Sequence, residues 1–159
     1  MCREKTLDNR DRRILALLQA DADTPVTAIA DRVGLSVSAC SRRIQRLRDD
    51  GTIARTVAVL DRARMGVPTT VFVLIRGGRH AADWVDAFRA AIADLPEIVE
   101  AHRLTGNFDY VLKLVLPNVE RYDAVYKRLT HRLDLFDVAA YISMETLKLE
   151  TSVPTEYAP

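Results

Sequence analysis

The hydrophobic pattern of this chain changes its period near residue 55. Before that position, apolar residues recur at intervals of three or four, which is the spacing of amphipathic α-helices. After it, short apolar runs typical of strands take turns with further helical patterns. We therefore predict a helical domain at residues 1–53, a linking strand or hinge at residues 54–66, and a mixed domain at residues 67–159.

Local signals divide the first domain into three helices. Asp8 is a suitable N-cap for a helix that runs to about Ala20. Thr24 and Pro25 are predicted as the N-cap and the first-turn residue of a second helix, and Gly34 ends that helix. Ser36 then caps a third helix. Two helices joined by a short turn that contains glycine form the pattern of a DNA-binding helix-turn-helix.

The third helix is predicted to reach Asp49 and to place Cys40, Ile44 and Leu47 on one buried arc. We interpret Cys40 as a small buried hydrophobic residue rather than as a redox sensor. The β-prone residues 52–59 that follow form either a wing or a strand that links the two domains.

The second domain reads as strand, helix, strand, strand, helix and strand. With right-handed crossovers, this βαββαβ order gives a four-stranded antiparallel sheet with both helices on one face. The predicted fold class is therefore α+β, with the helix-turn-helix first. The predicted strands are residues 69–76, 98–105, 108–116 and 138–149, and the predicted helices are residues 81–95 and 119–133.

Both faces of the predicted sheet carry apolar side chains. The first strand places Val71, Val73 and Ile75 on one face, and Phe72 and Leu74 on the other. Two helices can cover only one face, and a solvated second face would alternate polar residues. We therefore expect a second copy of the chain to cover it, which gives a symmetric dimer. The alternative is that the first domain folds back over this face.

The charges are distributed unevenly between the two domains. The whole chain has a formal net charge of +1, but residues 1–60 hold 11 Lys and Arg against 8 Asp and Glu. Four of those basic residues lie between Arg42 and Arg48, on the third helix. A basic first domain suits a polyanion such as DNA, and a solvated helix face is the alternative.

The third helix carries residue types that read DNA. A helix in the major groove presents its N-terminal half to base edges, and arginine can bond guanine O6 and N7 together. Serine hydroxyls at the positive helix N-terminus suit a phosphate oxygen. The predicted base-edge residues are Ser38, Ala39, Ser41 and Arg42, and the predicted phosphate contacts are Ser36, Ser38, Arg43, Arg46, Arg48 and Arg55.

Signals for an enzyme, a membrane span or secretion are weak in this sequence. His80, His102 and His131 are scattered, without an HExxH motif or a cluster at metal-ligand spacing, so we expect no catalysis, metal or cofactor. No apolar run approaches the ~20 residues of a membrane helix, and residues 1–11 lack an apolar signal core. The two cysteines cannot form a disulfide framework, so we expect a cytoplasmic protein.

Several short motifs occur in a fixed order along the chain. They are Leu7-Asp8, residues 11–15, 33–36, 43–47, 51–53 and 104–112, and the last has the sequence LTGNFDYVL. In this order and spacing they resemble the leucine-responsive regulatory protein / asparagine regulator (Lrp/AsnC) family of bacterial and archaeal transcription regulators. The resemblance spans about residues 7–148. The chain departs from the family at residues 21–23, where Asp-Gly-Arg is common, and at residues 134–137, where Pro-Gly is common.

The resemblance implies an N-terminal winged helix-turn-helix and a C-terminal ferredoxin-like domain that binds an effector. It implies a sequence-specific transcription regulator that binds double-stranded DNA and forms homodimers or octamers. It also implies a small effector, commonly an amino acid, bound where dimers meet. Two alternatives stay open. Some haem-pathway decarboxylases resemble the same family, with His102 then the residue of interest, and the chain could instead be an amino-acid sensor or assembly module that does not use DNA.

The effector residues are expected around one turn and one strand. Gly106 permits a tight turn, and the Asp109 carboxylate could accept hydrogen bonds from an α-ammonium group or from loop N–H groups. From the residues alone, a simple hairpin capped by Asp109 is the other interpretation. Because similar proteins bind ligands beside this loop, the resemblance implies an effector site at Leu104, Thr105, Gly106, Asn107, Phe108, Asp109, Tyr141, Ile142 and Ser143.

Overall fold

The computed structural model describes residues 6–77 and 82–158 and divides into two units. The first unit is Met1–Ala58 together with Lys148–Pro159, and the second is Val59–Leu147. Residues 148–159 therefore group with the first unit, whereas the sequence-based division placed them in the second. Cys2 and His80 lie outside the described residues. In the part of the chain that is described, no helix is long and apolar enough to cross a membrane.

The three predicted helices of the first unit are confirmed as α1 (Asn9–Ala20), α2 (Val26–Val33) and α3 (Val37–Asp49). Ile14, Ile29 and Leu47 are fully buried between them. Cys40 is buried in the same cluster, and this burial raises the pKa of its thiol. A thiol that ionises less readily is less reactive, which supports its interpretation as a hydrophobic residue.

The helix ends follow their local signals, with one difference. Asp8 and Asp11 form a reciprocal capping box on α1, Gly34 ends α2 at a φ of 67°, and Ser36 caps α3. Thr24, however, does not cap α2. Pro25 holds the N-cap position, and the Thr24 hydroxyl instead donates to the Asp21 carboxylate at 3.1 Å.

The predicted linking strand is not formed within a single chain. Residues 54–60 are assigned to no strand, and Val57 and Val59 are 60% and 73% exposed. An extended segment becomes a strand only when a neighbouring strand takes up its N–H and C=O groups. Within the described residues, no segment pairs with this one.

The second unit has the predicted βαββαβ order. Its elements are β1 (Thr69–Gly77), α4 (Ala82–Ala93), β2 (Ile98–Arg103), β3 (Tyr110–Leu116), α5 (Arg121–Arg132) and β4 (Leu135–Ile142). The strands form one antiparallel sheet in the order β2-β3-β1-β4. The last strand was predicted over 138–149, but it begins at Leu135 and ends at Ile142. It pairs only with β1, where Ile142 lies opposite Val71 and the Ser143 N–H still donates to the Thr70 carbonyl. Because β1 begins at Thr69, the residues after these soon run beyond the partner strand.

The two faces of the sheet differ in exposure as predicted. Val71, Val73 and Ile75 are buried in the core with residues of both helices, at 1%, 3% and 0% exposure. Phe72 lies on the opposite face and is 38% exposed. On that face Leu74 is half-buried, and its cross-strand neighbours are apolar as well. A continuous apolar strip therefore crosses the middle of the face that the helices leave uncovered.

The C-terminal segment of the first unit lies along α1. The Gln19 side-chain amide donates to the Val153 carbonyl at 3.0 Å and accepts from the Val153 N–H at 2.7 Å. Further along, Arg12 donates to the Ala158 carbonyl at 2.9 Å, and the Ala158 methyl group packs against the core of the unit. The segment therefore contributes to the fold of the helical unit, although no sequence pattern predicted this.

Deleting residues 148–159 should lower the free energy of unfolding by roughly 1–3 kcal/mol. The reason is the loss of these hydrogen bonds, each worth about 1 kcal/mol. Thermal unfolding followed by circular dichroism measures the change. Gln19→Ala removes two of the bonds and should reproduce about half of it, whereas the control Gln45→Ala removes only a bond within α3 to Asp49. An unchanged melting temperature in the deletion would contradict the role of the segment.

Candidate nucleic-acid interface and effector site

The exposed face of α3 gathers the predicted base-edge residues. Ser36 accepts from the Ala39 N–H at 3.3 Å, and its hydroxyl lies 3.3 Å from that of Ser38. Ser38, Ser41 and Arg42 are exposed, and Ala39 is half-buried. Their spacing on the helix places them on one side, with Gln45 one turn beyond Arg42. The structure therefore brings the predicted base-edge residues together on one surface.

A basic groove runs between the start of α1 and α3. It has a volume of about 460 Å³, and its lining residues are Arg10, Leu35, Ala39, Arg42, Arg43 and Arg46. Arg10 was missed by the sequence analysis, although the basic run at residues 10–13 was a usable signal. Four guanidinium groups around one groove attract an anion such as a DNA phosphate.

Two of these arginines are held by a buried carboxylate. Asp11 is 1% exposed and accepts from Arg43 at 2.9 Å and from Arg46 at 2.5 Å. Arg43 also donates to Asp8 at 2.6 Å. These bonds, first that to Asp11 and then that to Asp8, raise the pKa of Arg43. The network fastens α3 to the first turn of α1, so Arg43 and Arg46, predicted as phosphate contacts, have internal partners.

The other predicted phosphate contacts lie outside the groove. Arg48 is exposed near the end of α3, and Arg55 is exposed in the irregular segment after it. Because Asp8 and Asp11 offset only part of the charge of the four groove arginines, the surface keeps a positive surplus. That surplus favours a polyanionic partner.

The turn predicted to hold the effector is the hairpin between β2 and β3. Leu104 N–H donates to the Asp109 carbonyl at 2.7 Å, and Gly106 has a φ of 118°, which favours glycine. The Asp109 carboxylate accepts from the Gly77 N–H at 2.9 Å. Asp109 was expected to accept from an α-ammonium group or from backbone N–H groups, and this contact is of the second kind. It connects the hairpin to the end of β1.

The predicted effector residues fall into two groups at opposite ends of the sheet. The hairpin contacts the end of β1 at Ile75 and Gly77. In contrast, Ile142 lies opposite Val71, and Ser143 donates to the Thr70 carbonyl at 2.9 Å at the start of β1. At ~3.3 Å per residue, the two groups are about 20 Å apart along the strand. One chain does not bring them into a common pocket.

An arginine that the sequence analysis missed lies beside the hairpin. Arg76 donates through Nε to the Asn107 carbonyl at 2.8 Å. Its guanidinium carbon lies 5.5 Å from the ring centre of Phe108 and 5.7 Å from that of Phe136. The alternation of β1 places Arg76 on the uncovered face with Phe72 and Leu74. The contact with Phe136 was not predicted, because the sequence pattern placed residue 136 before the last strand, whereas it lies in β4.

The decarboxylase alternative was centred on His102. This side chain is 63% exposed, and its Nε2 atom lies 3.7 Å from a Glu100 carboxylate oxygen. Across residues 6–77 and 82–158, no group of three or more His, Cys, Asp and Glu residues could hold a metal ion.

Comparison with known proteins assigns both units. Residues 7–54 match the family model of a winged helix-turn-helix DNA-binding domain, and residues 70–153 match that of the Lrp/AsnC ligand binding domain. The chain is 55% identical over 151 residues to the HTH-type transcriptional regulator Zrp of Zymomonas mobilis, which covers 95% of this chain and 99% of Zrp. The chain belongs to the Lrp/AsnC family.

Solved structures agree with this Lrp/AsnC assignment. An AsnC family transcriptional regulator from Agrobacterium tumefaciens is 40% identical, with a TM-score of 0.91 over 95% of this chain and 99% of that one. A transcriptional regulator from Neisseria meningitidis, solved as a complex with L-methionine, is 28% identical, with a TM-score of 0.89 over 94% and 97%. In this Lrp/AsnC chain, the basic groove lies in the DNA-binding match and Arg76 lies in the ligand-binding match.

Proposed function

We propose that this Lrp/AsnC chain is a sequence-specific transcription regulator that acts in the cytoplasm, reads double-stranded DNA with α3, and responds to a small effector, an amino acid. The observation that carries the proposal is the arginine-lined groove beside the exposed face of α3. The matches to relatives that are regulators support the same function.

The arginines of the groove divide into two roles. None of the described residues forms a hydrogen bond or an ion pair with Arg42, so its guanidinium is available to guanine O6 and N7. Arg43 and Arg46 are oriented by Asp11 and supply positive charge beside the phosphates. Arg10 extends this charge onto α1. Specificity then depends on Arg42 and its helix neighbours, and most of the salt dependence depends on the rest.

The uncovered face of the sheet supports a homodimer. Its apolar strip includes Phe72, and a second copy would bury that strip in a symmetric interface. A dimer carries two copies of α3 and can reach half-sites about 34 Å apart, one turn of DNA. Dimers that associate further, as far as an octamer, would add interfaces at which two chains can hold the effector between them.

The effector acts by favouring one assembly over another. A ligand shifts an equilibrium only as far as its affinities for the two states differ, and typical coupling is about 1–3 kcal/mol. An amino acid is supported by the L-methionine complex of the regulator from Neisseria meningitidis. Contacts at an interface between copies are enough to supply such a difference.

Arg42→Ala should weaken binding to the DNA upstream of the protein's own gene by about 5- to 150-fold, which corresponds to about 1–3 kcal/mol. Binding to random DNA should change little, because a lost base contact affects only the specific site. Fluorescence anisotropy over a range of salt concentrations measures both. Arg48→Ala is the control, since a phosphate contact weakens both complexes alike and lowers the salt slope by about 1. Equal losses for Arg42→Ala on both DNAs would contradict its role in base recognition.

A further inference from the structure

Arg76 is fixed in direction by three contacts. Its Nε donates to the Asn107 carbonyl, and the rings of Phe108 and Phe136 lie within 6 Å of the guanidinium carbon. Stacking on aromatic faces and a fixed Nε bond restrict the rotation of the side chain. The two terminal nitrogens, Nη1 and Nη2, are therefore presented in a constant orientation beside the hairpin.

Those terminal nitrogens have no acceptor among the described residues. A guanidinium carries five N–H donors, and only the Nε donor of Arg76 is used. Asp137 lies opposite Arg76 in the register of β1 and β4, yet no ion pair joins them in the described structure. Four donors in a planar fork are thus left beside the hairpin, and this geometry matches the two oxygens of a carboxylate.

The hairpin adds further donors next to the fork. Across the described chain, nothing accepts from the backbone N–H groups of Gly106 and Asn107. A methyl group added at Gly106 would meet no atom within 4 Å, so the space beside this backbone is open. Unused backbone N–H groups close to a cation favour the binding of an anion.

We propose that Arg76 is the carboxylate-binding residue of the effector site, with the carboxylate placed across Nη1 and Nη2 beside Gly106 and Asn107. The effector is a carboxylic acid, and Phe108 and Phe136 hold the guanidinium that receives it. This inference rests on the proposed role of the second unit as the ligand-binding part of the protein. In an amino acid, the carboxylate can come from the α-carbon or from an acidic side chain.

The full-length protein is screened with the twenty amino acids by thermal shift, and the tightest binder is measured by calorimetry. Arg76→Met keeps the length of the side chain but removes all the donors, and should weaken binding by about 10- to 100-fold. Arg76→Lys keeps the charge but loses the forked pair of donors, so its affinity should lie between those of the wild type and of Arg76→Met. Arg103→Met removes the same charge from an exposed position on β2 and should leave the affinity unchanged.

Amide derivatives of the tightest binder identify the source of the carboxylate. If the α-amide fails to bind and a side-chain amide binds, the α-carboxylate is the group held by Arg76. If only the α-amide binds, the carboxylate held by Arg76 is that of an acidic side chain. Binding of both amides at the affinity of the parent overturns the proposal, as does unchanged binding by Arg76→Met or a wild-type protein that binds none of the twenty.

Two further measurements keep the inference separate from the proposed function. Phe136→Leu retains every donor but removes one ring, so it should weaken binding by a few fold even if Arg76→Met does not fold. Binding of the variants to DNA without effector is measured in parallel and should stay within twofold of wild type. A wild-type protein that does not bind DNA would count against the regulator function. A wild-type protein that binds DNA but no carboxylate ligand would count against the role of Arg76 alone.

Discussion

Replacing both Arg43 and Arg46 with alanine should lower the free energy of unfolding of the first unit by about 3 kcal/mol. The double substitution removes both cations from the Asp11 carboxylate, which is 1% exposed in the folded protein. Its remaining partner is the Asp8 N–H at 3.3 Å, which cannot replace two guanidinium groups. An uncompensated charge in a buried position is among the most costly defects that a substitution can create.

Urea unfolding followed by circular dichroism measures this loss, and the control is the double variant Arg42→Ala with Arg48→Ala. The control removes two positive charges from the exposed side of the same helix, so it should change stability by less than about 0.5 kcal/mol. Equal losses in the two double variants would show that the buried carboxylate does not need its arginines. A smaller loss in Asp11→Asn than in the double alanine variant is also expected, because that change removes the charge together with its requirement for partners.

The same network sets a pH dependence at the start of α1. The Asp11 N–H bond is the largest cause that lowers the pKa of the Asp8 carboxyl; burial opposes it, and the bond to Arg43 lowers the pKa further. A carboxyl group with a lowered pKa in the folded state stabilises the fold fully above its unfolded pKa. This contribution is lost as the pH falls through the folded pKa, so the capping of the first turn of α1 should weaken in acid.

The sequence predicted the helices because their signals act over a few residues. Asp8, Gly34 and Ser36 each fix a helix end through bonds to neighbouring backbone groups, and these appear in the structure where the pattern placed them. The pairing of Asp11 with Arg43 and Arg46 could not be read in this way. It joins residues 32 and 35 positions apart, and its geometry depends on how the helices pack.

The effector site shows a similar limit of the sequence. The hairpin and the last strand could each be identified, and antiparallel pairing of β4 with β1 would have placed their predicted residues at opposite ends of the sheet. The contacts of Arg76 with Phe108 and Phe136 were not predictable, because they depend on the path of the hairpin and on where β4 begins beside β1. Long-range side-chain contacts of this kind have no periodic signature in a sequence.

Leu74→Asp should convert the protein from dimers into monomers at micromolar concentration. Leu74 is half-buried in the middle of the uncovered face, between Val111 of β3 and Ala139 of β4. A carboxylate at this position would be desolvated among apolar side chains in a symmetric interface, and it would meet its own copy nearby. Sedimentation velocity measures the change. Affinity for the specific DNA site should fall by about 100-fold or more, because two linked heads bind far more tightly than one.

The ion pair between Lys113 and Glu100 does not weaken the argument for burial of the apolar strip. Lys113 lies opposite Phe72 but forms an ion pair with Glu100 at 2.5 Å, and this bond lowers the pKa of the Glu100 carboxyl. The pair has no net charge, and Glu100 lies on β2 at the edge of the sheet, so the apolar strip beside the pair stays continuous. Ala90→Asp adds the same charge on the exposed side of α4 and should leave the dimer and its DNA affinity intact. If Leu74→Asp remains a dimer, or if the wild-type protein is a monomer, the two reading helices are not brought together by this face.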